Sequence, residues 1–278
     1  MTKLIPIVTS TFLICCSCDS TVNAVAFHPD ITHVVNQSDL PAGLTEVVVK
    51  THDGLNLRCL YLVNTASDKL VIYFHGNAGN VYQRIPDLIQ LHNMGANVLG
   101  VSYRGYGRSD GIPSEAGVYS DGAAALMYAE KTLHYPTQKI FIFGRSIGTT
   151  VAVNTAIHQP LAGVILVTPL STGKQEATAM GMGSLASVAG GSFDNIGRIL
   201  KVSAPLLVIH GTADEVIPYS MGKAVFDRAV APKSFVTITG GNHNNLQNFG
   251  AAYWQPIHHF MKIGAEQLRT AFNNNTNN

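Results

Sequence analysis

The sequence predicts an α/β fold in which a sheet of eight mostly parallel strands carries helices on both faces. Strand-like runs alternate with longer stretches of helical pattern along most of the chain. Several of these strand-like runs are continuously apolar, which is typical of strands covered on both faces. The chain has 278 residues, of which 46% are hydrophobic and 13% are charged. This composition supports a large core and excludes a chain that is disordered throughout.

The first two predicted strands form a hairpin. They flank His52-Asp53-Gly54, and an Asp-Gly pair between two strand-like runs is typical of a tight antiparallel turn. We therefore expect this pair to be antiparallel and the later strands to be parallel. The eight predicted strands are Glu46–Thr51, Leu55–Leu62, Leu70–Phe74, Val98–Ser102, Lys139–Phe143, Gly163–Val167, Pro205–Ile209 and Ser234–Thr239.

Helical stretches follow the later strands and are long enough for the crossovers that parallel strands require. They are predicted at Asn80–Met94, Glu115–His134, Ile147–His158, Ser220–Ala229 and Ala251–Arg269. Residues 168–200 interrupt this alternation because they are rich in glycine and other small residues and lack a strand pattern. We predict that they form a short cap insertion over one end of the sheet.

The N-terminal residues predict export. Residues 1–18 contain Lys3, an apolar stretch and then Cys15-Cys16-Ser17-Cys18, and this layout resembles a bacterial lipoprotein signal peptide. The apolar stretch is too short and too interrupted for a membrane span of roughly 18 residues. We expect acylation at Cys16, with Cys18 as the alternative. An uncleaved anchor or a plain secretory peptide are further alternatives, and each of them predicts a location in the bacterial cell envelope.

Outside this leader the chain divides into three parts. Residues 19–43 have no sustained hydrophobic period, so we expect a tether and lead-in with little regular structure. The folded domain is predicted to cover residues 44–270 and to include the cap. The asparagine-rich residues 271–278 have nothing to bury and are predicted to be a disordered tail.

Charge and cysteine content exclude several classes of function. The chain has 18 Lys and Arg against 17 Asp and Glu, so it lacks the basic field that holds nucleic acid. Three of its four cysteines lie within 15–18, which leaves no disulfide framework and no cysteine metal site. The remaining cysteine, Cys59, is predicted to be a small buried hydrophobe in a strand.

A candidate nucleophile lies between a predicted strand and a predicted helix. Gly144-Arg145-Ser146-Ile147-Gly148 follows the apolar strand that ends at Phe143, which is the context of a nucleophile elbow. A turn this tight favours flanking glycines and raises the Ser146 hydroxyl above the sheet. Ser146 is therefore the predicted nucleophile.

A serine hydroxyl needs a base, and the base needs a carboxylate to orient it. Asp214 follows one predicted strand and His243 follows the next, at the sheet edge where sites of open α/β folds gather. We predict that His243 is the general base and Asp214 its carboxylate, with Glu215 as the rival carboxylate. His210 is interpreted as a core or loop-shaping residue.

An acyl-transfer site also needs two N–H groups that bind the oxyanion of the intermediate. The first is predicted to be the backbone N–H of Ile147, which directly follows the nucleophile. The second is predicted to come from the glycine-rich loop after the third strand, from Asn77, with Ala78 as the nearest alternative.

Together these motifs resemble the Bem46-like group of α/β-hydrolases, from Phe27 to Leu268. The matching blocks are Thr51-His52-Asp53-Gly54, Phe74-His75-Gly76-Asn77-Ala78-Gly79-Asn80, Tyr103-Arg104-Gly105-Tyr106-Gly107-Arg108-Ser109-Asp110-Gly111, Pro113-Ser114-Glu115, Gly144-Arg145-Ser146-Ile147-Gly148, His210-Gly211-Thr212-Ala213-Asp214, Ile217-Pro218 and Gly241-Asn242-His243-Asn244. The sequence departs from the usual pattern at Thr149, where a second glycine is common, and at Asn244, where Asp is common.

The resemblance implies the α/β-hydrolase fold, Ser146, Asp214 and His243 as a catalytic triad, and esterase- or thioesterase-like activity on an acyl substrate. It also favours a bracing role for Arg104 and Arg108 over an anion clamp. Because the motifs supply nucleophile, base and oxyanion donors, we expect no metal or organic cofactor.

We therefore expect an exported, lipid-anchored serine hydrolase that acts on a small-molecule or lipid-like acyl ester or thioester. The short cap favours small or extended esters. A peptidase or amidase with the same triad is the enzymatic alternative. An envelope protein that uses the fold to bind a partner without catalysis is the alternative from another class, and the oligomeric state is open.

Overall fold

The computed structural model describes residues 20–276, and its secondary structure follows the predicted alternation. The strands are β1 His28–Pro29, β2 Leu44–Lys50, β3 Asn56–Leu62, β4 Leu70–Phe74, β5 Ala78–Gly79, β6 Asn97–Val101, β7 Ile140–Arg145, β8 Gly163–Val167, β9 Leu206–Gly211 and β10 Lys233–Ile238. The helices are α1 at 20–26, α2 Ile85–Asn93, α3 Glu115–Lys131, α4 Gly148–Ala156, α5 Gly173–Ala179, α6 Gly183–Val188, α7 Asn195–Arg198, α8 Tyr219–Arg228 and α9 Ala251–Thr276.

Eight of these strands form one mixed sheet in the order β10-β9-β8-β7-β4-β6-β3-β2. Strand β3 runs antiparallel to β2 and β6, and every other neighbouring pair is parallel. The predicted hairpin and the predicted mostly parallel sheet are therefore confirmed. The short strands β1 and β5 pair separately, with His28 opposite Ala78.

The core lies on both faces of the sheet. In β4, Leu70, Ile72 and Phe74 belong to one hydrophobic cluster, while Val71 and Tyr73 belong to the other. Helices α3, α4 and α8 cover the first face, and α2 and α9 cover the second. Alternate strand residues thus meet helices on opposite sides, and each buried large apolar side chain stabilises the fold by about 1.5–3 kcal/mol.

The N-terminal part of the described chain corrects one expectation. Residues 20–26 are helical and residues 28–29 pair with β5, whereas the sequence analysis expected little regular structure over 19–43. Val22 and Phe27 are buried, and the Phe27 ring lies 5.9 Å from the Phe193 ring of the cap. The spacing of Val22, Val25 and Ala26 gives this short segment the apolar face of a helix.

The chain end corrects a second expectation. Helix α9 continues to Thr276, past the expected end at Arg269 and into the tail that was expected to be disordered from residue 271. Starting a helix is the costly step, and asparagine at an added position is less favourable than alanine by less than about 1 kcal/mol. An existing helix can therefore continue into this tail. Residues 277–278 lie outside the described part of the chain.

The leader also lies outside the described residues, which begin at residue 20. The predicted signal peptide at 1–18, the acylation of Cys16 or Cys18 and the envelope location therefore stay predictions. Within residues 20–276, no helix is both long and apolar enough to cross a bilayer. Cys59 is fully buried as predicted, and burial raises the pKa of its thiol to about 12.

Candidate active site

Ser146 occupies a strained turn between β7 and α4. Its φ is 55°, in the left-handed region that costs a residue other than glycine about 1–2 kcal/mol. Its N–H donates to the carbonyl of Val167 at 2.9 Å, so the neighbouring strand β8 stabilises this conformation. Strain of this kind is common where a side chain must be held clear of the backbone that carries it.

The glycines beside Ser146 are required by close contacts. A Cβ on Gly148 would lie 2.4 Å from the carbonyl oxygens of Phe74 and His75, and a Cβ on Gly144 would lie 2.6 Å from the Gly148 oxygen. Neither glycine has a positive φ. The sequence analysis attributed both to the tight turn, but their physical reason is that α4 packs directly on the ends of β4 and β7.

The structure brings Ser146, His243 and Asp214 into one line. The His243 Nε2 lies 3.0 Å from the Ser146 Oγ, and the His243 Nδ1 lies 2.9 Å from the Asp214 Oδ2. Because a carboxylate only accepts, Nδ1 is the donor to Asp214, and Nε2 is left to accept from the serine hydroxyl. All three residues are less than 10% exposed: Ser146 at 8%, Asp214 at 8% and His243 at 9%.

Asp214 is held in its charged form. Burial acts to raise its pKa, but hydrogen bonds from His210 and His243 and from the Ile217 N–H hold the pKa well below its usual value. Its Oδ1 accepts from the Ile217 N–H at 2.8 Å, and its Oδ2 lies 3.4 Å from the His210 Nε2. Glu215, the rival carboxylate, is exposed.

His210 shapes the loop that carries Asp214. It is fully buried, and its Nε2 lies 2.9 Å from the carbonyl oxygen of Ile217. This contact ties the end of β9 to the far side of the Asp214 loop. The prediction of a core or loop-shaping histidine agrees with this position.

Asn77 and Ile147 line the same cavity as Ser146. Within residues 20–276, neither backbone N–H donates to a protein acceptor, so both are available to a bound oxygen. The Asn77 carbonyl accepts from the Tyr106 hydroxyl at 2.6 Å, which anchors this loop. Ala78 also lines the cavity, so the structure brings the alternative donor there as well.

Two positioning residues escaped the sequence analysis. The buried His75 bonds through Nδ1 to the Gly76 carbonyl at 2.7 Å, and burial lowers the pKa of His75 to about 3, so the ring is neutral. Because this carbonyl and the Asn77 N–H share one trans peptide, His75 sets the direction of that N–H. Arg145 donates from Nη2 to the His243 carbonyl at 3.0 Å. A charged residue ending a buried strand was the signal for this second contact.

A cavity of about 320 Å³ opens above Ser146 and His243. Its walls come from α1 (Val22, Val25, Ala26), the loop after β4 (Gly76, Asn77, Ala78) and the cap (Gly173, Glu176, Ala177, Met180, Met182, Leu185, Ala189, Phe193). The cap is residues 168–200, as defined above. Most of these side chains are apolar, which suits an acyl group, and the volume suits a small ligand. The segment predicted as a tether thus forms one wall of the site.

Arg104 and Arg108 act as braces. The Arg104 Nη2 lies 2.8 Å from the fully buried Asp121, and its Nη1 lies 2.9 Å from Asp53. The Arg108 Nη1 donates to Glu46 at 3.0 Å. Neither arginine lines the cavity, so the bracing interpretation agrees with their positions and the anion clamp does not. Among residues 20–276, no cluster of potential metal ligands is present.

Comparison with known proteins agrees with the fold. A family model described as the alpha/beta hydrolase fold matches residues 69–196. An uncharacterized protein of Mycobacterium tuberculosis is 35% identical over 211 residues, which cover 75% of this chain and 75% of the relative. Alpha/beta hydrolase domain-containing protein 17B of Homo sapiens is 32% identical over 205 residues, which cover 73% of this chain and 70% of the relative.

A solved structure gives the same result. An esterase from Pyrococcus furiosus matches with a TM-score of 0.72 at 19% identity, over 85% of this chain and 96% of that protein. At this identity the likeness concerns the fold, and the chemistry has to be argued from the site itself.

Proposed function

Because the chain belongs to the α/β-hydrolase family, we propose that it is a serine hydrolase that cleaves acyl esters or thioesters. The observation that carries this proposal is the continuous hydrogen-bonded line from Ser146 through His243 to Asp214. The motif blocks that resemble the Bem46-like group support the same assignment.

In the first step, the Ser146 Oγ attacks the acyl carbonyl carbon while the His243 Nε2 accepts the hydroxyl proton. The 3.0 Å contact between these atoms is short enough for direct transfer. Asp214 then stabilises the imidazolium through the Nδ1–H bond. The negative charge that develops on the carbonyl oxygen is stabilised by the N–H groups of Ile147 and Asn77, each worth about 3 kcal/mol.

In the second step, the tetrahedral intermediate expels the alcohol or thiol, which takes its proton from His243. The acyl group is then covalently bound to Ser146. A water molecule gives a proton to His243 and attacks the acyl carbon. The second tetrahedral intermediate then releases the carboxylic acid, while the Ser146 Oγ takes the proton back from His243. Every proton therefore passes through His243, and no other reactant is needed.

The cavity favours short or extended acyl groups. Its volume of about 320 Å³ is at the small end for ligand pockets, and the cap helices that roof it are short. A long acyl chain would have to extend beyond the cavity into solvent. We therefore propose a preference for small esters over long-chain lipase substrates.

The test is hydrolysis of p-nitrophenyl esters from acetate to palmitate, together with an acyl thioester and an aminoacyl anilide. We expect turnover of short esters and a fall in kcat/KM of ~10⁴-fold in Ser146→Ala. A fluorophosphonate probe should label the wild type and leave this variant unlabelled.

Three outcomes would contradict the proposal in different ways. Cleavage of the anilide alone would replace it with a peptidase or amidase function. A strong preference for palmitate would overturn the argument from the cavity. A folded protein that turns over no substrate and reacts with no probe would favour a non-catalytic binding function.

A further inference from the structure

One carboxyl group lies within the cavity wall but outside the proposed catalytic machinery. Glu176 is on the cap helix α5, and its partly buried side chain lines the same cavity as Ser146 and His243. The neighbouring wall residues of the cap, Ala177 and Met180, are apolar. An acidic group in such a wall is costly to desolvate and is uncommon without a functional reason.

Glu176 has no counter-ion. Within residues 20–276, its carboxyl makes no hydrogen bond or ion pair with the protein. Burial and the negative charge of Asp214 raise its pKa to about 7. Among the described residues, the carboxyl group of Glu176 therefore faces the cavity without a protein partner of opposite charge.

The positive side chains of the same cavity lie on its other walls. Arg84 donates to the carbonyl of Ala78 beside the oxyanion loop, and Arg145 donates to the carbonyl of His243. The remaining titratable groups of the lining are His28 on β1 and His243 itself. The cap helix α6, which packs on α5, contains no charged residue. The cap side of the cavity is therefore acidic, and it carries that charge on Glu176 alone among its described lining residues.

We propose that Glu176 is a specificity residue that selects acyl esters or thioesters carrying an ammonium-type cation, which its carboxylate binds inside the cavity. This inference rests on the proposed hydrolase function of the site. A cationic group would supply the counter-charge that the protein does not, in surroundings where water screens the attraction weakly. An anionic group placed beside Glu176 would be repelled by its carboxylate, so the same residue discriminates against an acidic group at this wall of the cavity.

The experiment uses the full-length protein and pairs of esters of equal shape. In each pair, one ester carries a trimethylammonium group and the other a neutral tert-butyl group, on the acyl side in one pair and on the alcohol side in the other. In at least one pair we expect the wild type to favour the cationic ester by about tenfold in kcat/KM at about pH 8. In Glu176→Gln, which keeps the shape and removes the charge, that ratio should fall to about one.

The matched control is Glu215→Gln. Glu215 carries the same charge close to Asp214, but it is exposed and does not line the cavity. Glu215→Gln should leave the ratio of kcat/KM for the cationic and neutral esters unchanged. This control distinguishes a direct contact with Glu176 from a general effect of negative charge near the site. Lowering the pH to about 5 should also abolish the preference, because Glu176 is then protonated. Both esters of a pair are compared at the same pH, so a general loss of activity at low pH cancels in the ratio.

A binding measurement keeps the test independent of turnover. Calorimetry with an alkyltrimethylammonium ion and its neutral isostere, on Ser146→Ala with and without Glu176→Gln, should show that cation affinity depends on Glu176. Hydrolysis of both esters at equal rates, or a ratio unchanged in Glu176→Gln, would overturn the cation site and leave the hydrolase. Cation binding that depends on Glu176 without any turnover would overturn the hydrolase and leave the cation site.

Discussion

The carboxyl edge of the sheet and the cap that roofs it are built in opposite ways. At the sheet edge, Asp214 accepts from two backbone N–H groups and from His243, and Ser146 is bonded to the adjacent strand. The cap consists of helices of 7, 6 and 4 residues, and such short helices are marginal without packing. The acid of the cap that lines the cavity, Glu176, has no ionic or hydrogen-bonding partner for its carboxyl group within the described chain.

This difference corresponds to a division between the residues proposed to react with the substrate, at the sheet edge, and the residue proposed to select it, in the cap. Reacting groups have to be held within a fraction of an ångström, which favours loops anchored to buried strands. A side chain that selects a substrate has to contact the ligand, and its charge need not be paired within the protein. The comparison therefore predicts that substitutions of buried residues on the sheet and its covering helices strongly destabilise the fold. Substitutions in the cap should have smaller effects on stability.

The largest effect on stability is expected for Asp121→Ala, a change on helix α3, which packs on one face of the sheet. Asp121 is fully buried and accepts from the backbone N–H and the side chain of Arg104. Its removal leaves Arg104 as a buried cation that lacks its main partner, which costs about 3–5 kcal/mol. Urea denaturation should show this loss in the free energy of unfolding.

Asp53→Ala provides the control for that substitution. Asp53 also pairs with Arg104, but its side chain is 41% exposed, so its removal should lower the free energy of unfolding far less than the removal of Asp121 does. Equal losses in the two variants would mean that the brace does not depend on burial, and the contrast between the two regions would be weakened.

The sheet edge could be predicted from the sequence because local patterns determine it. The continuously apolar runs located β4, β7, β8 and β9, and the residues that follow parallel strands necessarily meet at one edge. The candidates Ser146, Asp214 and His243 followed from that rule together with the glycine-flanked serine between a strand and a helix. The bracing role of Arg104 and Arg108 was expected from the resemblance to the family.

The cavity walls could not be predicted in the same way. Val22 and Val25 belong to a helix of one to two turns, whose apolar face is too short to stand out as a period. Glu176 lies in a segment of small residues without a strong pattern, and only tertiary packing turns it towards Ser146. Arg145 contacts a residue 98 positions away in the sequence, His243, so sequence patterns do not reveal that contact. The bond from His75 to Gly76 joins neighbours, but it depends on the direction in which the buried His75 ring points, which a sequence pattern does not give.

A smaller effect is expected where the cap is attached, in Asn195→Ala. Asn195 begins α7, is fully buried, and donates to the Leu170 carbonyl at 2.8 Å and to the Thr149 hydroxyl at 3.3 Å. The same hydroxyl donates to the Ser146 carbonyl at 2.6 Å, so this chain of bonds joins the cap to the nucleophile elbow. We expect a loss of about 1–2 kcal/mol in the free energy of unfolding.

Hydrogen exchange shows where that loss acts. In Asn195→Ala the amides of α5 to α7 should exchange faster, while those of β7 keep the rate of the wild type. Thr149→Ser, which keeps the hydroxyl, is the matched control and should leave cap exchange unchanged. Faster exchange throughout the sheet would show that the cap and the sheet edge unfold as one unit.

The smallest effect is expected within the cap itself, in Glu176→Gln without ligand. Burial and the charge of Asp214 raise the pKa of Glu176 from 4.5 to about 7, so the folded protein holds a proton that the unfolded chain releases between these values. The contribution of this carboxyl to stability is therefore fully present below the lower value and is lost as the pH rises through the upper one. Solvent reaches the partly exposed group, which reduces the expected loss to about 1 kcal/mol.

Glu176→Gln does not titrate, so it should exceed the wild type in Tm by about 2–4 °C at about pH 8 and by much less at about pH 5. Glu215→Gln is the matched control, because it removes the same charge at an exposed position. A Tm difference that is equal at both pH values would mean that the amide changes packing rather than charge. It would also remove the evidence that the cap holds an unpaired charge on Glu176. The sheet edge and the cap would then differ only in how tightly they pack.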